Sequence, residues 1–413
     1  MIPIEEILSA RERISSVVST TPLVKDLMLS ERYKANIYLK REDLQLVRSY
    51  KIRGAYNKIS SLNEQQRKQG VVCASAGNHA QGVAFSCNQL NIKGKIYMPS
   101  TTPKQKIKQV NMFGKENIEV VLTGDTYDQA YYAAIKDCEE RKAVFIHPFD
   151  DPVVAAGQGT IAAEIMEQIP SPLDYIFVPI GGGGLISGVG SFLKQKGCNA
   201  KIIGVEPKGA PAMVNSLDEN KRVTLEKFEK FVDGAAVATI GKINFDIAKN
   251  VIDKMQLVPE GKVCTTILQL YNESAIVVEP AGALSVAALD FYADEIKGKS
   301  VVCIISGGNN DITRTEEIKE RSMLYEELKH YFIIQFPQRA GALRDFLNEV
   351  LGPDDDITHF EYTRKNSREN GPALVGIETK SKQDYIELVK RFEKNKINFL
   401  HVNENPDLFH LLI

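Results

Sequence analysis

The chain has 413 residues. At about 150 residues per domain, this length predicts two or three domains and excludes a single small module. Its 51 Lys and Arg nearly balance its 53 Asp and Glu, which excludes the strongly basic surface typical of nucleic-acid-binding proteins. No apolar run approaches the ~20 residues of a membrane span, and the acidic first segment is unlike a secretory signal. We therefore predict a cytoplasmic protein with neither nucleic-acid nor membrane partners.

Six cysteines are spread widely along the chain. They are Cys73, Cys87, Cys138, Cys198, Cys264 and Cys303. None belongs to a C-x-x-C pair or lies near histidines at zinc-ligand spacing. We predict reduced core cysteines, no disulfide framework and no metal site.

Short apolar runs alternate with longer helix-like stretches from residue 1 to about 320. The predicted strands are Val71–Ala74, Ile96–Met98, Val120–Leu122, Val144–Ile146, Tyr175–Ile180, Lys201–Val205 and Val301–Ile305. Continuous apolar runs are typical of strands that helices cover on both faces. This part of the chain is therefore predicted to be α/β, with mostly parallel sheets.

The first segment that could carry chemistry is Ser49–Asn57. Lys51 has an aromatic and a hydroxyl residue before it and an apolar helix start after it. A lysine attacks aldehydes when burial or nearby positive charge lowers its pKa, so Lys51 is a candidate for Schiff-base formation. The alternative is a solvated surface lysine, since most lysines contact water.

A second segment, Ser75–Gly82, follows the predicted strand Val71–Ala74 and opens a helix of small residues. A hydroxyl, an amide and free N–H groups at the carboxyl end of a strand are typical of ligand sites in open α/β sheets. The alternative is that Ser75 caps the helix and that His79 is a satisfied helix histidine.

A third segment contains four consecutive glycines, Gly181–Gly184, between a strand and a helix-like stretch. Such a run is costly in backbone entropy, and it lets successive N–H groups approach a phosphate at a helix N-terminus. A tight strand-to-helix turn explains the run equally well. The fourth segment, Ser306–Asp311, again follows a buried strand, and a plain turn is its alternative.

After a charged, helix-like stretch, Thr315–Lys329, the pattern changes to a βαββαβ order, which is ferredoxin-like. The predicted elements are strand Tyr331–Phe336, helix Gly341–Leu351, strands Ile357–Tyr362 and Ala373–Glu378, helix Asp384–Glu393 and strand Phe399–Val402. We predict a small separate domain from about residue 330.

Together, in this order and at these spacings, the four segments resemble those of the fold-type II pyridoxal-phosphate enzymes, and within them the threonine dehydratases. Phe336–Leu343 and Ala373–Glu378 are similar to the ACT-like regulatory domain of the biosynthetic form. The resemblance implies two open, mostly parallel twisted sheets in a catalytic domain, 1–320, with a smaller subdomain at roughly 52–155. A linker, 321–329, and one ACT-like domain, 330–413, would follow.

The resemblance also implies a cofactor, pyridoxal 5'-phosphate, and a role for each motif residue. Lys51 would hold the cofactor as a Schiff base and then remove the substrate α-proton. Asn78 would bind the ring hydroxyl oxygen, and Ser306 would face the ring nitrogen. The backbone of Gly181, Gly182, Gly183, Gly184 and Leu185 would hold the phosphate. The substrate carboxylate would bind to Ser75, Gly77, Asn78 and His79.

The implied reaction is conversion of L-threonine, and secondarily L-serine, to a 2-oxo acid and ammonia, the first step of isoleucine biosynthesis. A hydroxyl such as that of Ser306 gives a weaker electron sink than a carboxylate at the ring nitrogen, which favours elimination. Similar serine racemases carry a serine where this chain has Ala76. Because alanine cannot move a proton, we expect dehydration to dominate.

Other interpretations stay open at this stage: a catabolic serine/threonine dehydratase, a serine racemase, a non-catalytic amino-acid sensor, or a nucleotide-binding oxidoreductase. For the last, Glu206 lies at roughly the right distance after the glycines, but Lys51 and Ser306 would then have no role. Isoleucine is the expected effector, and a homodimer or homotetramer the expected assembly. The sequence leaves open the preference for threonine over serine and whether a cation binds near Glu206.

Overall fold

A computed structural model describes residues 1–362 and 370–412 and divides the chain into two units, Met1–Ile312 and Thr313–Ile413. Each unit has its own hydrophobic core. The predicted linker, 321–329, comprises the end of a helix, Thr315–Tyr325, a short turn and the first residue of a strand, Lys329–Pro337.

The first unit contains ten strands and thirteen α-helices. The strands are β1 (Leu23–Lys25), β2 (Asn36–Arg41), β3 (Val71–Ala74), β4 (Gly94–Met98), β5 (Ile118–Leu122), β6 (Val144–Phe145), β7 (Tyr175–Pro179), β8 (Lys201–Pro207), β9 (Lys254–Val258) and β10 (Ser300–Ile305). The helices are α1 (Ile4–Ile14), α2 (Leu27–Tyr33), α3 (Lys51–Ser60), α4 (Glu64–Gln69), α5 (Asn78–Leu90), α6 (Lys104–Gly114), α7 (Tyr127–Arg141), α8 (Pro152–Gln168), α9 (Gly184–Gln195), α10 (Ala212–Asp218), α11 (Lys242–Val251), α12 (Glu260–Ser274) and α13 (Pro280–Ala287).

Six of these strands form the larger sheet, in the order β1-β2-β10-β7-β8-β9. Only β1 is antiparallel to its neighbour, and the other four pairings are parallel. Every residue of β7 and of β10 is buried, because helices cover both faces of the sheet. The central strands are therefore the continuous apolar runs that the sequence shows.

The smaller sheet is fully parallel and has the order β5-β4-β3-β6. Its strands come from residues 71–145, and the core on one face includes Ile96 and Val83. Two mostly parallel sheets with covering helices confirm the predicted α/β fold. Three strands, β1, β2 and β9, are absent from the sequence-based prediction, and all three lie in the larger sheet.

The second unit contains β11 (Lys329–Pro337), β12 (Asp356–Tyr362), β13 (Asn370–Glu378) and β14 (Phe399–His401), with helices α14 (Thr315–Tyr325), α15 (Ala342–Glu349), α16 (Lys382–Lys394) and α17 (Pro406–Leu412). From β11 to β14 the element order is βαββαβ, as predicted. All three strand pairings are antiparallel in the order β12-β13-β11-β14. This is the ferredoxin-like arrangement.

Five of the six cysteines are buried and Cys198 is partly buried, which agrees with the prediction of core cysteines. Among residues 1–362 and 370–412, no helix is both long and apolar enough to cross a membrane.

Candidate active site

The larger sheet brings three of the sequence segments together at one edge. Strand β10 lies between β2 and β7 and is parallel to both, so the segments that follow these strands emerge side by side. They lead to Lys51, to Gly181–Gly184 and to Ser306. The backbone N–H of Tyr50 donates a hydrogen bond to the Ser306 carbonyl, 3.1 Å away, which joins the lysine segment directly to the end of β10.

Lys51 is the first residue of α3 and is partly buried. Its Nζ donates a hydrogen bond to the carbonyl oxygen of Pro148 at 2.8 Å. Burial lowers the pKa of Lys51 to about 8, against a smaller opposing effect of the Glu279 charge. Lys51 is therefore not a freely solvated lysine, and a large fraction of its amine is uncharged at slightly alkaline pH.

The glycine segment passes against an aromatic ring. A Cβ on Gly182 would lie 2.2 Å from Cγ of Phe149, so no larger residue fits there without displacing that ring. Gly183 has φ +92°, in the left-handed region that glycine adopts at little cost. Phe149 follows Pro148, the carbonyl partner of Lys51, so the glycine segment and the lysine contact adjacent residues.

The same segment presents a row of backbone donors. Within residues 1–362 and 370–412, no protein acceptor takes the N–H groups of Gly181–Leu185. Their carbonyls are used differently: the Gly182 oxygen accepts from the Gly241 N–H at 3.1 Å and from Nδ2 of Asn244 at 2.9 Å. Free N–H groups at the start of α9 are suited to bind a phosphate.

A second row of donors lies at the start of α5, after β3. The Gly77 N–H donates to Oγ of Ser75 at 3.2 Å, and Gly77, not Ser75, is the N-cap residue. In the described part of the chain, the N–H groups of Asn78, His79 and Ala80 have no protein acceptor. This helix start is thus suited to bind a carboxylate.

The side chain of His79 does not belong to that row. Its Nε2 hydrogen-bonds the carbonyl oxygen of Ile146 at 2.8 Å, and burial lowers the pKa of His79 to about 3. The ring is therefore neutral and donates to Ile146. His79 can offer a ligand its backbone N–H, whereas its side chain makes a structural contact with Ile146.

Asn78 is held at both ends of its amide. Its Nδ2 donates to Oε1 of Glu279 at 2.6 Å, and its Oδ1 accepts from Nδ2 of Asn309 at 2.7 Å.

Glu279, the acceptor for Asn78, is 7% exposed, and burial raises the pKa of Glu279 to about 7. Glu279 lies outside all four sequence segments that could carry chemistry. An acid that directly follows the apolar residues Ile276–Val278 was the available signal.

Glu206, which the sequence left as a possible cation ligand, has both carboxylate oxygens occupied. They accept the N–H groups of Met213 and Val214 at 2.8 and 2.9 Å. Burial raises the pKa of Glu206 to about 8. No group of three or more His, Cys, Asp or Glu in the described residues is arranged to hold a metal ion.

A partly buried amine, a row of free amides suited to a phosphate and a second row suited to a carboxylate are what an enzyme with a phosphorylated aldehyde cofactor requires. Pyridoxal 5'-phosphate fits these donors.

A comparison with protein families identifies the chain. The model of the family described as "Pyridoxal-phosphate dependent enzyme" matches residues 14–307. A second model, "C-terminal regulatory domain of Threonine dehydratase", matches residues 320–412. The chain therefore belongs to the pyridoxal-phosphate dependent enzymes and, within them, to the threonine dehydratases.

Two relatives match this chain over its full length. The chain is 59% identical over 413 residues to "L-threonine dehydratase biosynthetic IlvA" of Bacillus subtilis, with 100% of this chain and 98% of that protein covered. It is 58% identical over 412 residues to the protein of the same name in Halalkalibacterium halodurans, with 100% and 99% covered.

Two solved structures show how the catalytic fold is shared. The processed form of threonine deaminase isoform 2 from Solanum lycopersicum is 42% identical with a TM-score of 0.75, covering 78% of this chain and 87% of that one. Serine racemase from Dictyostelium discoideum is 32% identical with a TM-score of 0.70, covering 75% and 99%. Dehydratases and racemases thus share this fold, and individual residues must distinguish them.

Proposed function

We propose that the chain is a pyridoxal-phosphate-dependent L-threonine ammonia-lyase, which converts L-threonine to 2-oxobutanoate and ammonia and accepts L-serine as a secondary substrate. The observation that carries this proposal is the free amide row, Gly181–Leu185, next to the segment that Lys51 contacts. The cofactor, when bound, supplies an aldehyde for amine condensation and a ring that accepts the electron pair released at the substrate Cα.

Lys51 has two tasks in this proposal. Its amine holds the cofactor, for which the lowered pKa is favourable because an uncharged amine is the nucleophile. Once released by the amine of the substrate, it removes the proton from the substrate Cα as a general base. The contact with the Pro148 carbonyl, 2.8 Å away, orients the amine, which lies at the start of α3.

The substrate carboxylate would bind at the start of α5, to the backbone N–H groups of Asn78 and His79, with Ser75 and Gly77 shaping the loop. The helix dipole adds a favourable interaction with the negative charge. Asn78 also has a second Nδ2 hydrogen beyond the one used by Glu279, and we assign it to the hydroxyl oxygen of the cofactor ring.

Ser306 sets the type of reaction. It is 3% exposed and directly follows β10. A hydroxyl donates a hydrogen bond to a ring nitrogen but cannot keep that nitrogen protonated as a carboxylate does. The substrate Cα then retains more negative charge, which favours loss of the β-hydroxyl over reprotonation.

Ala76 argues against racemisation, the activity named for one structural relative. A racemase needs a second acid–base group on the face opposite the lysine, and the methyl group of Ala76 cannot supply one. We expect chiral analysis of residual L-serine after extended incubation to show less than about 1% D-serine, in line with the loss of a positioned acid–base group. Rapid appearance of D-serine would favour the racemase.

The proposal extends to regulation and assembly. We propose L-isoleucine as an effector bound by the second unit, supported by the match of residues 320–412 to a regulatory domain. A cytoplasmic location and a homodimer or homotetramer stay predictions from the sequence, as do the domain limits 1–320 and 330–413.

Formation of 2-oxobutanoate from L-threonine by the purified protein tests the proposed function, with Lys51→Ala as the variant. We expect the variant to lose the visible absorbance of the lysine-bound cofactor and turnover by a factor of at least about 10³, because nucleophile and base are both removed. Lys58→Ala is the control, since Lys58 lies on the same helix and pairs with Asp151 at 2.7 Å. Full activity of Lys51→Ala would contradict the proposal.

A further inference from the structure

Glu279 occupies the N-cap position of α13 but does not cap that helix with its side chain. Its backbone carbonyl accepts the first helical hydrogen bonds, from Gly282 at 2.9 Å and Ala283 at 3.2 Å. A carboxylate at this position usually accepts from the first-turn N–H groups. Here it extends away from the helix and reaches Asn78, 201 positions distant in sequence.

The space for this carboxylate depends on Gly307. A Cβ on Gly307 would lie 2.4 Å from Oε1 of Glu279, so the carboxylate packs directly over the glycine that follows Ser306. The Glu279 N–H also donates to the Gly307 carbonyl at 3.2 Å. The contacts fix the carboxylate next to the residue we assign to the cofactor ring nitrogen, with 7% of Glu279 exposed.

The hydrogen bonds of Asn78 permit only one orientation of its amide. The Asn309 amide is itself fixed, because its Nδ2 donates to the backbone carbonyl of Val47 at 2.9 Å, which can only accept. That Nδ2 of Asn309 also faces Oδ1 of Asn78 at 2.7 Å and, at the longer distance of 3.1 Å, Oε1 of Gln81. Oε1 of Glu279 faces Nδ2 of Asn78 at 2.6 Å. A flipped Asn78 would place donor against donor at one end and acceptor against acceptor at the other.

We propose that Glu279 is a positioning residue for the cofactor: with Asn309, it locks the amide of Asn78 so that the second Nδ2 hydrogen faces the hydroxyl oxygen of the cofactor ring. This inference rests on the proposed function. Glu279 itself acts through Asn78. Oε1 of Glu279 can accept from Asn78 in either protonation state of the carboxyl group, and above about pH 7, where the carboxylate is the major form, the hydrogen bond is charge-assisted and therefore shorter and stronger than a neutral one.

The test compares the affinity of the apoprotein for pyridoxal 5'-phosphate across a double-mutant cycle of Glu279→Ala and Asn78→Ala. We expect Glu279→Ala to weaken binding about 10-fold in the unmodified background, the loss of one charge-assisted hydrogen bond. In the Asn78→Ala background we expect less than about a twofold further loss, because the group that Glu279 positions is absent. The absorbance spectrum of the bound cofactor should shift with Glu279→Ala in the first background only.

Two further variants separate positioning from a general structural role. Glu279→Gln, whose amide oxygen can still accept from Asn78, should retain affinity within about threefold. Ser285→Ala is the matched control, because Ser285 lies on the same helix and donates instead to the Ile304 carbonyl at 2.8 Å; it should leave affinity unchanged. If Glu279→Ala does not fold, Glu279→Met removes the acceptor at similar volume and takes its place in the cycle.

An equal loss of cofactor affinity from Glu279→Ala in both backgrounds would overturn the inference, and so would no loss in either or a Glu279→Gln loss as large as that of Glu279→Ala. These outcomes leave the proposed function intact, provided that the unmodified protein binds the cofactor and forms 2-oxobutanoate. If the unmodified protein binds no pyridoxal 5'-phosphate, the proposed function itself fails.

Discussion

The amine of Lys51 lies in a buried site, where the charge of Glu279 only partly offsets the effect of burial on its pKa. Its direct hydrogen-bond partner is a neutral carbonyl, that of Pro148, which does not compensate the ammonium charge as a carboxylate would. Burial is therefore the main reason that the pKa of Lys51 falls to about 8. The cost of burying the charged form makes the amine a better nucleophile near neutral pH than an ordinary lysine.

This pKa predicts how the apoprotein acquires its cofactor. Below about pH 8 the ammonium form dominates, and above it the uncharged nucleophile does, so the rate of cofactor attachment should rise about tenfold from about pH 7 to about pH 9. Stopped-flow absorbance measures that rate, and division by the rate of a small amine nucleophile whose pKa lies well below 7, and which is therefore uncharged throughout this range, removes ionisation of the cofactor. A normalised rate that keeps rising steeply to about pH 10.4, the pKa of a free lysine, would contradict a lowered pKa.

At the residue scale, the sequence predicts groups that stand out from their surroundings. The glycine run, the lysine after an aromatic residue and the serine after a buried strand are visible as motifs. Glu279 is not, because only the fold brings it to Asn78, 201 positions away. The side chain of His79 is a converse case: the motif includes it, but its hydrogen bond to Ile146 depends on the position of a strand end in the smaller sheet.

A buried ion network fixes the helix that carries Lys51. Arg53, two residues further along α3, is fully buried and pairs with Glu42 at 2.8 Å and with Glu164 of α8 at 2.7 Å. Lys40 of β2 contacts Glu164 at 2.5 Å. The network therefore ties α3 to a strand of the larger sheet and to α8, and it fixes the start of α3 against both.

Removal of Arg53 should destabilise the protein strongly. Arg53→Met leaves two buried carboxylates, of which only Glu164 keeps a cationic partner, so we expect about 3–5 kcal/mol less free energy of unfolding. The control is Arg11→Met, since Arg11 pairs with Glu167 at the surface, where such a pair contributes about 0–1 kcal/mol. Urea unfolding of the apoprotein measures both. Similar losses in the two variants would contradict a stabilising role for the network.

The same network explains why the sequence pattern does not predict strand β2. In β2 only Ile37–Leu39 is an apolar run, and the charge of Lys40 that follows would be expected in water. Its burial is possible because Glu164 lies opposite, a pairing across 124 positions that no local pattern shows.

Strand β9 is absent from the sequence-based prediction for a different reason. It is an edge strand whose residues are mostly only partly buried, so it lacks a continuous apolar run.

At the scale of the whole molecule, each unit has its own architecture and core. The core of the first unit includes Val178 and Ile304 of the larger sheet, and the core of the second includes Phe332 and Val375 of the antiparallel sheet. The change from parallel to antiparallel pairing was predictable because hydrophobic patterning and element order both change near residue 330. The residues we assign to the cofactor and to threonine all belong to the first unit.

This division predicts the outcome of removing the second unit. A protein that ends at Ile312 keeps every residue that we assign to the site and both of the mostly parallel sheets. We expect the truncated protein to bind pyridoxal 5'-phosphate and to form 2-oxobutanoate from L-threonine within about threefold of the full-length rate, since a unit with its own core folds on its own.

The two proteins should differ in their response to isoleucine. We expect isoleucine to change the rate of the full chain and to have no effect on the rate of the truncated protein. Steady-state assays of both proteins with and without isoleucine test this. An isoleucine response that survives truncation would place the effector site in the first unit, against the proposal.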